Sequence, residues 1–270
     1  MPVDHYENFP VASLLLPARL RRPVELIYRF ARNADDFADE GTRPDQERLM
    51  LLSAYGDELR MIERGERSRV PLFQALGPVI REHALPLNLF HDLLSAFAQD
   101  VTRKRYTDYA ELLDYSRRSA DPVGRLLLHL FGAATPQHLR WSDCICSALQ
   151  IINFLQDVAI DWSIGRVYLP QDELARFGVD EAQIAAGRCD ARWRALLAFE
   201  VNRTRRLLLD GAPLGRALPG RIGLEIRTIV AGGARILAKI EGVDCDVFRR
   251  RPVLRAWDWP LLLARALARR

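Results

Sequence analysis

The sequence predicts an all-α protein, and three observations carry that prediction. Apolar residues recur every three or four positions along most of the chain, as helices with one buried face require. No sustained run alternates apolar with polar residues, so no sheet is expected. Pro44, Pro71, Pro86, Pro136, Pro213 and Pro252 stand at the heads of periodic segments, where a missing N–H harms a helix least.

Taken in order, the first helix is expected over residues 24–40. Leu26, Ile27, Phe30, Ala31 and Ala34 share one of its faces, and Pro23 suits its first turn. Further helices are expected at 44–65, 72–84, 87–105, 107–131, 136–162, 191–210, 213–241 and 252–268. Residues 163–190 contain Gly165, Pro170, Gly178 and Gly187 and read as the main irregular stretch, with room for short helices. No low-complexity linker or repeat divides the 270 residues, so 1–270 reads as one domain.

Two acid clusters have helical spacing. Asp35 and Asp39 lie four apart, as do Asn153, Asp157 and Asp161. Four residues advance a helix by one turn plus about 40°, so each set forms a stripe on one face. Like charges at this spacing destabilise a helix, and both sets sit beside apolar runs, so a cation is expected between them. Oxygen donors without His or Cys point to Mg²⁺, which keeps waters and shares its shell with substrate phosphates. Both stripes fall near the C-terminal ends of their expected helices, where carboxylates gain nothing from the helix dipole. Asp36, about 100° around from Asp35, either reaches the metal through water or orients the helix.

The formal net charge is +4 and the pI about 9.0, yet acids are interspersed with the bases and no nucleic-acid-binding motif occurs. Among 39 basic residues only Lys104 and Lys239 are lysines. Most of the arginines read as solvated charge, a few as bidentate phosphate ligands. Cys144, Cys146, Cys189 and Cys245 form no CxxC pair and are expected to be reduced thiols. No signal peptide or transmembrane stretch is expected. The scattered histidines lack zinc or di-iron spacing, and no Gly-Lys dipeptide exists for a phosphate-binding loop. The tail from Trp257 is amphipathic, basic and aromatic, and suits either a membrane surface or a packed terminal helix.

The motifs resemble those of the squalene/phytoene synthase family, over nearly the whole chain. Asp35-xxx-Asp39, with Arg32 three residues ahead, is similar to its first aspartate-rich motif, and Asn153-xxx-Asp157-xxx-Asp161 to its second. Gly165-Arg166-Val167-Tyr168 resembles the Arg-x-Tyr segment that follows. The stretch Tyr115 to Gly124 resembles the middle motif, with Ser116 where the family usually has Cys. The resemblance implies a single-domain isoprenoid synthase bundle (the class I terpene synthase fold) with a central cavity. It implies Mg²⁺ on Asp35, Asp36, Asp39, Asn153, Asp157 and Asp161. It makes Tyr115 and Tyr168 catalytic candidates, and Arg32, Arg118, Arg166, Tyr28, Arg249 and Phe9 substrate contacts.

Two stretches, His5 to Ser13 and Asp246 to Pro252, most resemble the bacterial branch that forms hydroxysqualene in squalene and hopanoid biosynthesis. That branch implies presqualene diphosphate as substrate, ionisation, cation rearrangement and capture by water. It implies functional coupling to a presqualene diphosphate synthase and a flavin-dependent reductase. The unpaired thiols suit a cytoplasmic protein, and a greasy product together with the C-terminal segment makes peripheral contact at the inner membrane an expectation. The neighbouring expectation within the family is head-to-head condensation of two prenyl diphosphates, such as farnesyl diphosphate.

Overall fold

A computed structural model describes residues 17–39 and 41–268. The expected His5–Ser13 motif and Phe9 lie outside the described residues. Among the described residues there are fourteen helices and no strand; the only extended pairing is an isolated parallel bridge between Arg105 and Val167.

The first four helices are α1 (Ala18–Asp39), α2 (Asp45–Glu63), α3 (Pro71–Glu82) and α4 (Leu87–Thr102). Leu20, Val24, Ile27, Phe30, Ala34 and Ala38 step along α1 at three- and four-residue intervals, and all are buried. The Phe30 ring meets Phe73 and Phe90 edge to face, at centroid distances of 5.9 and 5.2 Å. With Leu59, Leu76 and Leu93 these rings form one apolar cluster. Helix α1 starts six residues before its expected start, which leaves Pro23 inside it rather than at its head.

The chain continues through α5 (Tyr109–Ser119), α6 (Asp121–Leu130), α7 (Pro136–Gln156), α8 (Val158–Ser163), α9 (Gln171–Phe177), α10 (Glu181–Ala185), α11 (Ala191–Gly211), α12 (Leu214–Ala217), α13 (Gly220–Gly242) and α14 (Asp258–Ala268). A second apolar cluster is built on α7, α11 and α13, around Trp193, Leu196, Leu197, Val201 and Ile240. Side-chain caps set several helix starts. Asp108 accepts from the Glu111 N–H, Thr135 from the His138 N–H, and Asp190 from those of Arg192 and Trp193.

Three expected helices are broken and a fourth starts late. The 107–131 segment splits at Ala120, because Pro122 has no N–H to continue the ladder. Gly124 then lets α6 lie tight on α7, since a Cβ there would collide with Ser142 Oγ and Cys146 Sγ. The 213–241 segment breaks at Pro219, which caps α13. Pro252 does not open a helix; its carbonyl accepts from Gln156 Nε2 at 2.6 Å, and α14 begins only at Asp258. The 136–162 segment is interrupted at Asp157, whose φ/ψ of −104°/14° departs from helical values. The i→i−4 bonds nonetheless run through, Asp157 N to Asn153 O at 2.9 Å and Asp161 N to Asp157 O at 2.8 Å. The second stripe therefore survives the kink, and Asp161 sits in the first turn of α8 rather than far from any helix start.

No described helix is long and apolar enough to cross a membrane.

Candidate active site

The first stripe is carried by α1, where Tyr28, Arg32, Asp35 and Asp39 fall on one face at intervals of four, three and four. Arg32 Nε lies 2.9 Å from Asp36 Oδ1, and its Nη1 lies 3.4 Å from Asp35 Oδ2. Tyr28 is half-buried. The second stripe is carried by α7 and α8. Asn153 Nδ2 donates to Asp157 Oδ2 at 2.9 Å.

Arg166 joins the two stripes. Its guanidinium grips Asp39 bidentately, with Nη1 to Oδ2 at 2.9 Å and a second bond from Nη2 to Oδ1. Its backbone N–H donates to the Asp161 carbonyl at 2.8 Å. The turn that returns the chain to this point needs Gly165, whose φ is +79°. The next residue, Val167, donates its N–H to the Lys104 carbonyl at 3.0 Å, which ties the segment to the end of α4. The two stripes thus lie against each other across Arg166.

Beneath this charged layer sits an aromatic one. Tyr168 stacks on Phe154 at 3.7 Å with 6° between planes, and Tyr115 and Tyr106 lie 6.0 and 5.6 Å from Tyr168. All four rings are buried. Burial, followed by nearby carboxylates and phenols, pushes the Tyr115 and Tyr168 hydroxyls up, so both stay neutral.

Tyr115 Oη donates to Asp100 Oδ2 at 2.7 Å. Asp100 Oδ1 is buried without a hydrogen-bond partner. Burial pushes the Asp100 carboxyl up to about 6, against the pull of Tyr115 and Arg166. Asp161 is pushed up to about 8, by burial first and the adjacent Asp157 second. Among the described residues no base pairs with the Asp161 carboxylate. The site therefore gathers more carboxyl groups than its own arginines cover, and Asp161 keeps its proton near neutral pH for want of a cation.

The other expected residues are distributed unevenly. Arg118 is held by Asp114 at 2.9 Å, Gln99 at 2.6 Å and Ser95 at 3.0 Å, on the seam between α4 and α5. Arg249 is largely exposed and pairs with Asp246 at 3.2 Å. Of the Arg249–Arg251 run it is Arg251 that reaches the stripe, gripping both oxygens of Asp157, one at 3.0 Å. From sequence, Gln99 and Asp100 read first as a helix end and second as support for the site, and Arg251 reads as one of a basic cluster of which one or two fold over the site. Asp100 carried a readable signal, an acid on the apolar face of Leu93, Phe97 and Val101. Nothing in the spacing separates Arg251 from its two neighbours.

Among the described residues no three His, Cys, Asp or Glu side chains converge into a ready-made metal cage. Mg²⁺ does not require one, since it takes one or two carboxylates and fills its shell with phosphate and water. The all-oxygen donor set and the unpaired Asp161, a carboxyl raised for want of a nearby cation, fit such an ion.

The squalene/phytoene synthase family model matches residues 3–258. The chain belongs to this family. Its members act on prenyl diphosphates, so it is a prenyl diphosphate enzyme. It is 36% identical over 242 residues to hydroxysqualene synthase from Rhodopseudomonas palustris, covering 88% of this chain and 80% of that one. It is 33% identical to phytoene synthase from Mycobacterium tuberculosis, over 97% of this chain and 86% of that one. Among solved structures, squalene synthase HpnC from Alicyclobacillus acidocaldarius is 38% identical with a TM-score of 0.83, covering 89% of this chain and 90% of that one. These matches agree with the family and all-α isoprenoid synthase fold expected from sequence.

Proposed function

We propose that this protein converts presqualene diphosphate to hydroxysqualene. The observation that carries the reading is Arg166 spanning two oxygen-rich stripes directly above a buried aromatic layer. The similarity to hydroxysqualene synthase supports this branch of the family.

In this reading Asp35, Asp36 and Asp39 on one side, and Asn153, Asp157 and Asp161 on the other, would hold Mg²⁺. When bound, Mg²⁺ neutralises charge on the departing diphosphate. Arg32, Arg166 and Arg251 are the fork-shaped donors within reach; Arg166 and Arg251 each grip one carboxylate bidentately, a geometry that exchange for a phosphate keeps, and Arg32 bridges Asp35 and Asp36. The C–O bond to diphosphate breaks and its electron pair leaves with the diphosphate. The resulting cyclopropylcarbinyl cation rearranges, takes the oxygen of water and loses one proton. Tyr168, Phe154, Tyr115 and Tyr106 offer uncharged π-faces to that cation while excluding bulk water. The Tyr115–Asp100 bond fixes the angle of one of these rings.

The similarity to phytoene synthase favours a second reading, head-to-head condensation of two prenyl diphosphates. Incubation with presqualene diphosphate or farnesyl diphosphate, with Mg²⁺ or with chelator, separates the two by mass spectrometry. Hydroxysqualene from presqualene diphosphate alone, only with Mg²⁺, is expected. Consumption of farnesyl diphosphate as sole substrate would replace this reading with the second.

A further inference from the structure

Helix α14 has two apolar faces, and among the described residues only one is packed. Asp258, Leu262 and Ala266, at i, i+4 and i+8, are buried against α13. Asp258 is held there by Arg235 at 2.8 Å and by Lys239, and Arg227 Nε donates to the Ala266 carbonyl at 2.7 Å. One position further on, Trp259, Leu263 and Leu267 repeat the same spacing on the solvent side, and all three are exposed. Pro260 and Ala264 continue that face without a charge, and Trp257 just ahead of the helix is 65% exposed.

The exposed charges of this segment have one sign. Arg255, whose guanidinium lies 4.9 Å from the Trp257 ring, is exposed at the head of this face, Arg265 is exposed on the far flank of the helix, and Arg269 and Arg270 follow in the sequence. The only acid from Val247 onward is Asp258, which is buried and neutralised. An exposed tryptophan-and-leucine stripe on a segment whose exposed charges are all arginines has the composition of a helix that lies in a bilayer interface. It matches a surface of anionic headgroups. A second copy of the chain would bring the same arginines against each other.

We propose that the Trp259–Leu263–Leu267 face of α14, with Trp257 and the flanking arginines, docks the protein on an anionic phospholipid surface. The placement relative to the site is fixed by the strap between them. Pro252 accepts from Gln156 and Val253 accepts from Lys239, so the strap runs from the rim of the Asp157 stripe to α14. Docking thus sets the rim of the site beside lipid. The inference does not depend on which prenyl diphosphate is used.

The test is flotation of the full-length protein with phosphatidylcholine vesicles, with and without phosphatidylglycerol, and size-exclusion chromatography with light scattering. We expect flotation with the anionic vesicles only, lost at high salt. We expect Leu263→Ser/Leu267→Ser to lower the bound fraction at least about tenfold with unchanged circular dichroism. Leu261→Ser, on the opposite flank of α14, should bind nearly as the parent does. Three outcomes would overturn the proposal: no flotation with anionic vesicles, equal loss in Leu261→Ser, or a dimer that the double variant dissociates while vesicles bind neither protein.

Discussion

Asp258 and Asp161 are both carboxylates set among helices of this bundle, and they are treated in opposite ways. Burial alone would raise Asp258, but Lys239, the Arg255 N–H and Arg235 outweigh it and hold the carboxyl well below the usual range. Every stabilising charge it needs comes from the chain. Asp161 has no such partner, and burial with its neighbour Asp157 drives it up to about 8. The bundle supplies ample arginine elsewhere, including the Arg203 guanidinium shared by Glu173 and Glu200. An unneutralised acid beside two arginine-bound ones therefore marks a place where positive charge arrives from outside. The difference separates carboxylates that hold the fold from those kept ready for a ligand.

The sharpest way to break the comparison is to remove each carboxylate's charge without changing its shape. Asp161→Asn and Asp39→Asn should lower turnover of prenyl diphosphate by about 10³-fold, a loss of about 4 kcal/mol in transition-state stabilisation. Asp161→Asn should leave the melting temperature nearly unchanged near pH 7, because a neutral amide replaces a carboxyl that the fold already keeps protonated. A variant that keeps near-parental turnover but loses several degrees of melting temperature would make Asp161 a structural acid like Asp258. Asp258→Asn should do the converse. It strands Arg235 and Lys239 at the α13–α14 contact and should cost about 3 kcal/mol, read by urea denaturation and by faster proteolysis of α14. Turnover per folded molecule should persist when substrate is supplied in detergent.

Sequence was most informative where one period governs both folding and chemistry. The stripe Asn153–Asp157–Asp161 was legible because helical spacing puts the three on one face, and the face survives even though the helix is kinked at Asp157. Helix heads at Pro44, Pro71, Pro86 and Pro136 were legible for the same local reason. What was not legible arises from tertiary contact. Arg251 closes on Asp157 across 94 positions of sequence, and Arg166 on Asp39 across 127. The breaks at Pro122 and Pro219 were missed because the apolar period runs on through both prolines, and period was given more weight than the lost N–H. Helix α14 starts late because Asp258 is drawn inward by bases on α13, which no window around Pro252 contains.

Smaller effects sharpen the comparison within the aromatic layer. Tyr115→Phe removes one donor to Asp100 and leaves a second buried oxygen of that carboxylate unsatisfied. A loss of about 1–2 kcal/mol in stability is expected, measured by urea denaturation. The product distribution should shift as the ring loses its anchor. An unchanged product spectrum would reduce Tyr115 to packing.

The smallest effect concerns a third buried acid, away from the stripes. Asp121 is 2% exposed, accepts from Ser147 Oγ at 2.8 Å, and is pushed up to about 8 by burial and then by Asp143. Its folded-state value lies above the unfolded one, so between about pH 4 and pH 8 the folded chain holds a proton that the unfolded chain has released. The contribution of Asp121 is therefore greatest at the acid end of that window and falls as pH rises. Asp121→Asn keeps an acceptor for Ser147 and cannot ionise. Its unfolding free energy relative to the parent, from urea denaturation, should climb steadily from pH 5 to pH 8, with a slope of at most about 1.4 kcal/mol per pH unit. A difference that stays flat across that range would show Asp121 already ionised in the fold, and would place it with Asp258 among the carboxylates the chain neutralises by itself.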